Sequence, residues 1–396
     1  MVYDVAILGG GASGMAAAVS LAKKGFTVAI MEAKPRIGQK ILVTGNGRCN
    51  LTNLAISRAN YHSENLDGVD KIITKYGCKE VMEFFASIGL LTRSKNGLVY
   101  PLSNKASSVL DVLRNALAKY KVNIITNFDI SSVDKQGGKY GEQFFIKGMQ
   151  SAAVQAKKLI IATGLKAHEG SDIGLVILEK LGHRVKKPYP ALVQLKSDDS
   201  FINGLKGIKF MGEIRIFRGQ ELLRAEQGEI LFTDYGISGI AVMQVSYLFS
   251  LYDDLRAELD FLPHMSYNEA KERLEYIEGF YKDSSVAAEE YLTGLVDKKL
   301  GMRILKYSGA GNSDLLNNLK ARPIKITGHN GFKNAQVCGG GAFLDDFDSE
   351  TLESKHLKGL YAIGEILDAV GDCGGYNLHW AWATALYAAD VLEEVL

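Results

Sequence analysis

Residues 4–32 read DVAILGGGASGMAAAVSLAKKGFTVAIME, and apolar, glycine-rich and helical patterns follow one another along them without a break. The apolar run Val5–Leu8 predicts a short strand that is buried on both faces. Ser13–Lys24 has the pattern of a helix, and Val28–Met31 has that of a second buried strand. A strand, a glycine turn, a helix and a further strand in this order indicate a Rossmann-like α/β fold.

The turn between the first strand and the helix contains Gly9, Gly11 and Gly14, which have the G-x-G-x-x-G spacing. In such a turn the first glycine permits a sharp bend, the second lets a pyrophosphate approach, and the third lets helix and strand pack closely. The helix N-terminus favours an anion, because its first N–H groups are free. Glu32, about twenty residues further on, can accept a hydrogen bond from a ribose hydroxyl and repel a 2′-phosphate. The stretch therefore predicts a dinucleotide site.

The overall composition is that of a globular chain with two or three domains. Of the 396 residues, 47% are hydrophobic and 23% are charged, and the formal net charge is +1 at pH 7. This charge provides no broad field that would attract nucleic acid or an anionic membrane. No apolar run reaches the roughly 18 residues of a membrane span. We therefore expect a small-molecule substrate, with no nucleic acid and no membrane as partner; the sequence does not indicate an oligomeric state.

The N-terminus and the cysteines both favour a cytoplasmic protein. No basic segment precedes the first apolar run, and that run is needed as a strand, so we expect no signal peptide. The cysteines form no C-x-x-C pair and have no metal-ligand spacing, which favours a reducing compartment and no metal site. They are Cys49, Cys78, Cys338 and Cys373.

Four segments of the chain differ in their predicted secondary structure. Strands and helices alternate at first, and they include a buried strand Lys157–Ala162 that runs into Thr163 and Gly164. Short β-like runs separated by turns, such as Leu222–Ala225 and Glu229–Phe232, then favour an antiparallel, barrel-like domain, and a helical pattern follows it. The predicted domains are the first part of a cofactor-binding domain (1–187), an antiparallel β domain (188–263), a helical insert (264–322) and the second part of the cofactor-binding domain (323–396).

Two further glycine-rich segments have the composition of ligand-binding loops. Ala33–Asn53 has too many glycines for a helix and too many polar side chains for a buried strand, which predicts an irregular loop beside the cofactor. Gly374 and Gly375 precede a long apolar helix over His379–Val395. They predict a second helix N-terminus that binds an anion or a carbonyl group.

The order of these motifs resembles that of the two-dinucleotide-binding-domain flavoproteins: GGGASG with Glu32, a central IIATG and a late GLYAIGE. More narrowly, GQKILVTGNGRCNLTN, FTDYGISG and GEILDAVGDCGGYNLHWAWA resemble the aminoacetone oxidase-type NAD(P)/FAD-dependent flavoproteins, a family that includes a dehydro-bile-acid reductase. The resemblance extends over nearly the whole chain. It implies a Rossmann-like FAD-binding domain that is interrupted by an antiparallel β-barrel-like domain and a small helical insert.

The resemblance also implies roles for residues at matching positions. The first glycine turn would hold the FAD pyrophosphate, Glu32 would hold the adenosine ribose, and Ile130 would touch the adenine. Lys40 and the loop Gly45–Asn50 would line the flavin, and the turn before the last helix would bind its pyrimidine carbonyl. The residues assigned to the cofactor are Gly9, Gly11, Ala12, Ser13, Gly14, Glu32, Ala33, Lys40, Gly45, Asn46, Gly47, Arg48, Asn50, Ile130, Thr163, Gly164, Gly364, Glu365, Gly375, Tyr376, Asn377 and Leu378.

The chain departs from the family pattern at a few positions. Glu365 stands where Asp is commoner, and Ile240 follows FTDYGISG where Pro is commoner. In the last helix, Thr384-Ala385 and Ala389-Asp390 replace Ser-Gly and Ala-Gly. These changes concern the substrate side of the site and leave the FAD assignment in place.

The expected chemistry is that of an FAD-dependent oxidoreductase, with hydride transfer through flavin N5 to or from a small organic substrate. Enone reduction with NAD(P)H as a transient donor and amine oxidation with oxygen both remain open, because no second G-x-G-x-x-G marks a nicotinamide site. Dithiol chemistry needs two neighbouring cysteines, and the corresponding loop has only Cys49. No catalytic acid or base is assigned, and Arg48 and Tyr376 are candidates for substrate contact.

Two alternatives belong to other functional classes. An FAD-binding RNA-modifying protein would need a basic surface, and Lys298–Lys306 (KKLGMRILK) is a modest basic run that is also typical of a solvated helix face. A non-catalytic FAD-binding redox sensor would show the same cofactor motifs.

Overall fold

The computed structural model describes residues 1–138, 141–167, 170–308 and 312–395. The chain divides into two compact units, Met1–Tyr189 with Gln336–Leu396 and, between them, Pro190–Ala335. The first unit is therefore assembled from two separated pieces of the chain.

The helices and strands follow in chain order. The strands are β1 (Val2–Leu8), β2 (Val28–Met31), β3 (Thr52–Asn53), β4 (Tyr61–His62), β5 (Thr92–Lys95), β6 (Leu98–Pro101), β7 (Asn123–Ile125), β8 (Ile130–Gly138), β9 (Gly141–Gly148), β10 (Val154–Ile161), β11 (Val185–Ala191), β12 (Leu195–Ser197), β13 (Lys209–Arg218), β14 (Glu221–Phe232), β15 (Gly236–Ser238), β16 (Leu255–Asp260), β17 (Arg322–Ile324), β18 (Ile326–His329), β19 (Val337–Ala342), β20 (Leu360–Ala362) and β21 (Val370–Gly371). The α-helices are α1 (Ala12–Lys23), α2 (Gln39–Val43), α3 (Leu66–Lys75), α4 (Cys78–Ser87), α5 (Ala106–Lys119), α6 (Ile173–Lys180), α7 (Ile240–Val245), α8 (Leu248–Leu251), α9 (Tyr267–Tyr281), α10 (Lys298–Tyr307), α11 (Asn312–Lys320) and α12 (Tyr376–Val395).

The first unit is built on a mixed sheet in the order β7–β2–β1–β10–β9–β8, with β20 also paired to β10. β7, β2, β1, β10 and β20 are parallel, whereas β8 and β9 form an antiparallel hairpin next to β10. Val5–Leu8 have no exposed surface, and α1 packs against both α5 and α12. The predicted Rossmann-like α/β fold is confirmed, and its last parallel strand and last helix come from the second piece of the chain.

The two pieces of the first unit also meet in a ladder between β11 and β19. Phe343 N donates to Arg184 O at 3.1 Å, and a β-carbon at Gly339 would lie 2.3 Å from the ring of Tyr189. A higher residue number in β11 is opposite a lower residue number in β19, so the two strands are antiparallel. The chain therefore leaves the first unit and returns to it at neighbouring positions.

A short helix, α2, lies in the segment that its glycine content predicts to be irregular. Gly38 precedes α2 with φ 76°, and Gly45 follows it with φ 54°. The glycines flank the helix instead of interrupting it, which corrects the expectation of an unbroken loop. The last helix also begins earlier than expected, at Tyr376 rather than His379.

The second unit contains a seven-stranded sheet in the order β17–β16–β13–β14–β15–β12–β18, and its pairings are antiparallel. Its outer strands β17 and β18 are consecutive in the chain, with Lys325 alone between them. The two edges of the sheet therefore meet, which gives barrel-like closure. Apolar side chains of the strands and of α7 to α11 share one core.

The structure places residues 323–335 in the second unit, whereas the sequence analysis assigns them to the cofactor-binding domain. The reason is that β17 pairs with β16 and β18 pairs with β12. The division into functional domains itself stays a prediction. Among the described residues, no helix combines the length and apolar character needed to cross a bilayer.

Candidate cofactor site

The glycine turn after β1 is closely packed at two of its glycines and open at the third. Gly9 has φ 105°, and a β-carbon there would lie 2.4 Å from the carbonyl oxygen of Ala162. A β-carbon at Gly14 would lie 1.9 Å from Gly9 O, which brings α1 against the turn. At Gly11 no atom lies within 4 Å of the β-carbon position. The open space is therefore at the N-terminus of α1, where an anion is favoured.

Glu32 lies directly beside this turn, at the end of β2. Its Oε2 accepts a hydrogen bond from Gly10 N at 2.8 Å, and its Oε1 accepts one from Lys34 N at 2.9 Å. Both carboxylate oxygens are thus oriented by backbone groups. Gly38 N donates to Gly10 O at 2.8 Å, so the segment that leads into α2 is attached to the same turn.

The central Ala162-Thr163-Gly164 segment and Glu365 converge on the turn from other parts of the chain. Gly9 packs against Ala162 and Thr163, as the backbone distances above require. Gly164 has φ 63°, and a β-carbon there would lie 3.2 Å from Glu365 Oε2. Four predicted cofactor residues, Gly9, Thr163, Gly164 and Glu365, are therefore neighbours in space.

Gly364 connects the second piece of the chain to α1. It has φ 75°, and a β-carbon there would lie 2.5 Å from Ser13 Oγ. Its N–H donates to Thr384 Oγ1 at 2.9 Å, and its carbonyl accepts from Trp380 Nε1 at 3.1 Å. Two side chains of α12 therefore fix this glycine next to the first glycine turn.

The turn that precedes α12 lies against the end of the glycine-rich segment. Gly374 and Gly375 have φ 128° and 97°, and Gly374 O accepts from Asn53 Nδ2 at 3.0 Å. A β-carbon at Gly375 would lie 2.7 Å from Thr52 O and 3.0 Å from Asn50 Oδ1. Only glycine can occupy position 375, because the backbone of Thr52 fills the space that a side chain would need.

Side-chain hydrogen bonds stabilise the first residues of α12. Asn377 accepts from Gly371 N at 2.8 Å and donates to Gly371 O at 2.7 Å, and Tyr61 Oη donates to Tyr376 O at 3.0 Å. The backbone N–H groups of Tyr376, Asn377 and Leu378 lie in the first turn of the helix. In the first turn, an N–H group has no acceptor within the helix, because the carbonyl four residues earlier lies outside it. They can therefore bind an acceptor from outside.

A buried histidine lies under the same turn. His379 Nδ1 and Thr52 Oγ1 are 2.8 Å apart, and neither side chain has exposed surface. Burial lowers the pKa of His379 to about 4, so the imidazole is neutral near pH 7. It supports the turn without adding charge to the site.

The single cysteine of the glycine-rich segment is not set up as a nucleophile. Burial raises the pKa of the Cys49 thiol to about 12, so it stays protonated. The other cysteines of the chain are free as well. Within the described ranges, no group of three or more His, Cys, Asp or Glu side chains could hold a metal ion.

Two further predicted residues, Ile130 and Arg48, are placed by other contacts. Ile130 begins β8, the outer strand of the hairpin, although Phe128 N donates to Glu32 O at 2.9 Å only two residues earlier. Arg48 is exposed and lies 5.2 Å from the centre of the Tyr100 ring. Their roles stay predictions.

Several residues of the site are not among those that the sequence assigns to the cofactor. Thr52, Asn53 and Tyr61 contact the last turn from more than 300 positions away in the chain, as the separations of 327, 321 and 315 show. Thr384 is different, because a hydroxyl group in an apolar helix could have been recognised as a backbone partner.

FAD fits this set of residues. The space at Gly11 lies at a helix N-terminus and suits a pyrophosphate, and the first N–H groups of α12 suit a flavin carbonyl. Asn50 Oδ1 is buried without a hydrogen-bond partner among the described residues, next to Gly375. A buried polar atom of this kind requires a partner, which a polar cofactor edge can supply.

Comparison with known proteins supports the same conclusion. A family model described as the HI0933-like protein Rossmann domain matches residues 3–391. The 3-dehydro-bile acid delta(4,6)-reductase of Clostridium scindens is 37% identical over 98% of this chain and 99% of its own length. The ribosomal RNA dihydrouridine synthase of Haemophilus influenzae is 30% identical over 97% of this chain and 96% of its own length.

A solved structure shows a similar fold over the whole chain. The 3-ketosteroid delta1-dehydrogenase of Sterolibacterium denitrificans has a TM-score of 0.54 with 100% of both chains covered, at 12% identity. The resemblance seen in the sequence motifs is therefore confirmed. The chain belongs to the HI0933-like Rossmann-domain family, and it is an FAD-dependent oxidoreductase.

Proposed function

We propose that this protein reduces a carbon–carbon double bond conjugated to a carbonyl group, in a small molecule of the bile-acid or steroid type. The observation that carries the proposal is the 37% identity to a 3-dehydro-bile acid delta(4,6)-reductase along nearly the full length of both chains. The name of that relative combines a 3-oxo group with double bonds at positions 4 and 6, of which the first is conjugated directly to that carbonyl group. Neither curated relative described above is named for an amine, so reduction is favoured over the amine oxidation that the sequence left open.

Bound FAD supplies two-electron chemistry, delivered as a hydride from N5 of the reduced flavin. The chain's own part is to bind and orient it. Gly9–Gly14 and the N-terminus of α1 hold the pyrophosphate, and Glu32 holds the adenosine ribose. The N–H groups of Tyr376–Leu378 stabilise negative charge at the pyrimidine end, where helix α12 presents its positive dipole end.

The electron donor in this proposal is NADH or NADPH, which binds transiently. A reductase needs a two-electron donor, and the nicotinamides are the common soluble hydride donors. The substrate receives the hydride at the β-carbon and a proton at the α-carbon, so one C=C becomes CH–CH. The side chain that delivers the proton is not assigned.

A second candidate is the reduction of uridine in RNA, which the 30% identity to a ribosomal RNA dihydrouridine synthase favours. The two candidates share their chemistry, because the C5–C6 double bond of uridine is also conjugated to a carbonyl group. The net charge of +1 favours the small molecule, since RNA binding usually requires a basic surface.

The test is anaerobic reduction of the purified protein, followed by a substrate panel. We expect flavin absorbance, bleaching by NADH or NADPH, and return of the oxidised spectrum on adding a 3-oxo-4-ene bile acid, with a product two hydrogens heavier. Ribosomal RNA and a primary amine serve as comparison substrates. Faster reoxidation by RNA would favour the second candidate, and bleaching by the amine would overturn the proposal in favour of an oxidase.

A further inference from the structure

An ion pair joins the glycine-rich segment to the residue that follows Gly364 in the cofactor site. Lys40 Nζ lies 2.7 Å from Glu365 Oε2, and both side chains are partly buried, with 36% and 22% of their surface exposed. Lys40 belongs to α2, whereas Glu365 directly follows Gly364. The pair therefore connects residues that are 325 positions apart.

The Glu365 carboxylate stands inside the predicted cofactor cradle. Its Oε1 accepts from Cys338 N at 3.0 Å, and its Oε2 faces Gly164. Gly364, the residue before it, packs against Ser13 in the first turn of α1. Gly164 follows Thr163, which packs against Gly9, so the carboxylate lies in the same cluster as the glycine turn that is predicted to take a pyrophosphate.

This arrangement creates an electrostatic problem. The FAD pyrophosphate carries two negative charges, and a partly buried carboxylate nearby repels them because the surroundings screen charge less than water does. A single cation paired with the carboxylate removes most of this repulsion. Glu365 remains able to accept hydrogen bonds, since the Lys40 pair occupies only part of its acceptor capacity.

We propose that Lys40 is a positioning residue that neutralises Glu365, so that FAD can bind beside a carboxylate. The proposal rests on the cofactor site described above and goes beyond it. It differs from the role implied by the family resemblance, in which Lys40 itself lines the flavin. The two roles make opposite predictions when Glu365 loses its charge.

The experiment is a double-mutant cycle on the affinity for FAD. Apoproteins of the wild type, Lys40→Met, Glu365→Gln and the double variant are titrated with FAD, and quenching of flavin fluorescence gives Kd. We expect Lys40→Met to raise Kd about tenfold or more in the wild-type background, because Glu365 is left uncompensated. In the Glu365→Gln background the same change should raise Kd by less than roughly threefold.

Two further variants separate charge from structure. Lys40→Arg keeps the charge and should bind FAD as the wild type does. Lys206→Met removes the lysine of another 2.7 Å ion pair, with Asp234 in the second unit, and should leave Kd unchanged. High salt should reduce the difference in Kd for FAD between Lys40→Met and the wild type, because salt screens electrostatic interactions.

Equal losses of affinity in both backgrounds would overturn the inference and show that Lys40 contacts FAD directly. No loss in either background would overturn it too. A wild-type apoprotein that binds no FAD would instead overturn the cofactor assignment itself. Thermal unfolding midpoints of the apoproteins are measured first, to show that each variant is folded. If Lys40→Met does not fold, the Kd values of Glu365→Gln and the double variant still test whether Lys40 affects FAD binding once residue 365 is neutral.

Discussion

At the scale of single residues, the glycines of the first turn have different physical roles. Gly9 and Gly14 are required because a β-carbon would collide with backbone, whereas Gly11 faces open space and has φ −80°, which any residue can adopt. The same motif thus contains glycines needed for folding and one that folding does not need.

Gly11→Ala is therefore expected to fold normally and to lose FAD, since its methyl group fills the space where the pyrophosphate approaches. Gly14→Ala should instead lower the free energy of unfolding by about 2 kcal/mol or more. Visible flavin absorbance and thermal unfolding measure the two effects.

Gly137→Ala is the matched control, because Gly137 in β8 also has open space at its β-carbon position. It should change neither FAD content nor stability. If Gly11→Ala bound FAD as the wild type does, the cofactor could not use this turn.

His379 should make the protein sensitive to acid. Burial lowers its pKa from 6.5 to about 4, so below pH 6.5 the unfolded chain takes up a proton that the folded chain does not. Its contribution to stability is complete above pH 6.5 and is lost as the pH falls towards 4, by about 3 kcal/mol in all. Urea unfolding at several pH values measures this loss.

His379→Asn, which cannot titrate, should lose less stability between pH 7 and pH 4.5 than the wild type. His183, whose pKa burial also lowers, and Asp368, whose pKa burial raises, titrate in both proteins and cancel in the comparison. Parallel stability curves for the two proteins would rule out a buried neutral His379.

At the scale of elements, α12 carries the second half of the cofactor site. Two residues of α12 that depart from the family pattern have hydrogen-bond partners: Thr384 Oγ1 accepts from Gly364 N, and Asp390 accepts from Lys24 Nζ at 2.5 Å. These residues attach α12 to the rest of the first unit, which is a structural role that the family comparison could not give.

Thr384→Val should destabilise the protein by about 1–3 kcal/mol, because it keeps the shape but leaves the buried N–H of Gly364 without its acceptor. Thr384→Ser keeps the oxygen and should lose less than about 1 kcal/mol. Thermal unfolding distinguishes them. Equal stability of the two variants would mean that the Gly364 N–H does not depend on this oxygen.

Local patterns predicted the elements of the βαβ unit well, because β1, α1 and β2 each follow the period of their own residues. The glycine-rich segment was less predictable, since glycine count does not say whether the glycines interrupt α2 or flank it. In the second unit, the sequence suggested separate runs Leu222–Ala225 and Glu229–Phe232. Continuous pairing with β13 joins them into the single strand β14.

The cofactor site was predictable where a residue acts through its own backbone and unpredictable where it acts through a distant partner. Gly375 could be recognised from its position before a helix. Its neighbour Thr52 could not, because its approach depends on how segments far apart in the chain pack together.

At the scale of the whole molecule, the predicted cofactor residues all fall within the first unit, although its two pieces are separated by residues 190–335. The points where the chain leaves and returns are neighbours in the β11–β19 ladder, as Tyr189 and Gly339 show. A short turn could therefore replace the inserted segment.

A protein in which a short hairpin turn joins residue 189 to residue 336 should fold and bind FAD, since the residues that would hold the cofactor are retained. Absorbance and fluorescence titration with FAD measure the binding. The same shortened protein with Gly11→Ala should be colourless. A shortened protein that folds but rejects FAD would show that the inserted unit contributes to the cofactor site.

The position of the insertion also sets an order for synthesis on the ribosome. The strands of the second unit's sheet have all been synthesised once His329 is made, so this segment can fold after it leaves the ribosome, while translation continues. The surrounding unit has to wait, because β10 lacks its partner β20 and the first glycine turn lacks α12 until the last residues appear. Newly made protein should therefore pass through a stage in which the inner unit is native and the outer one is still incomplete.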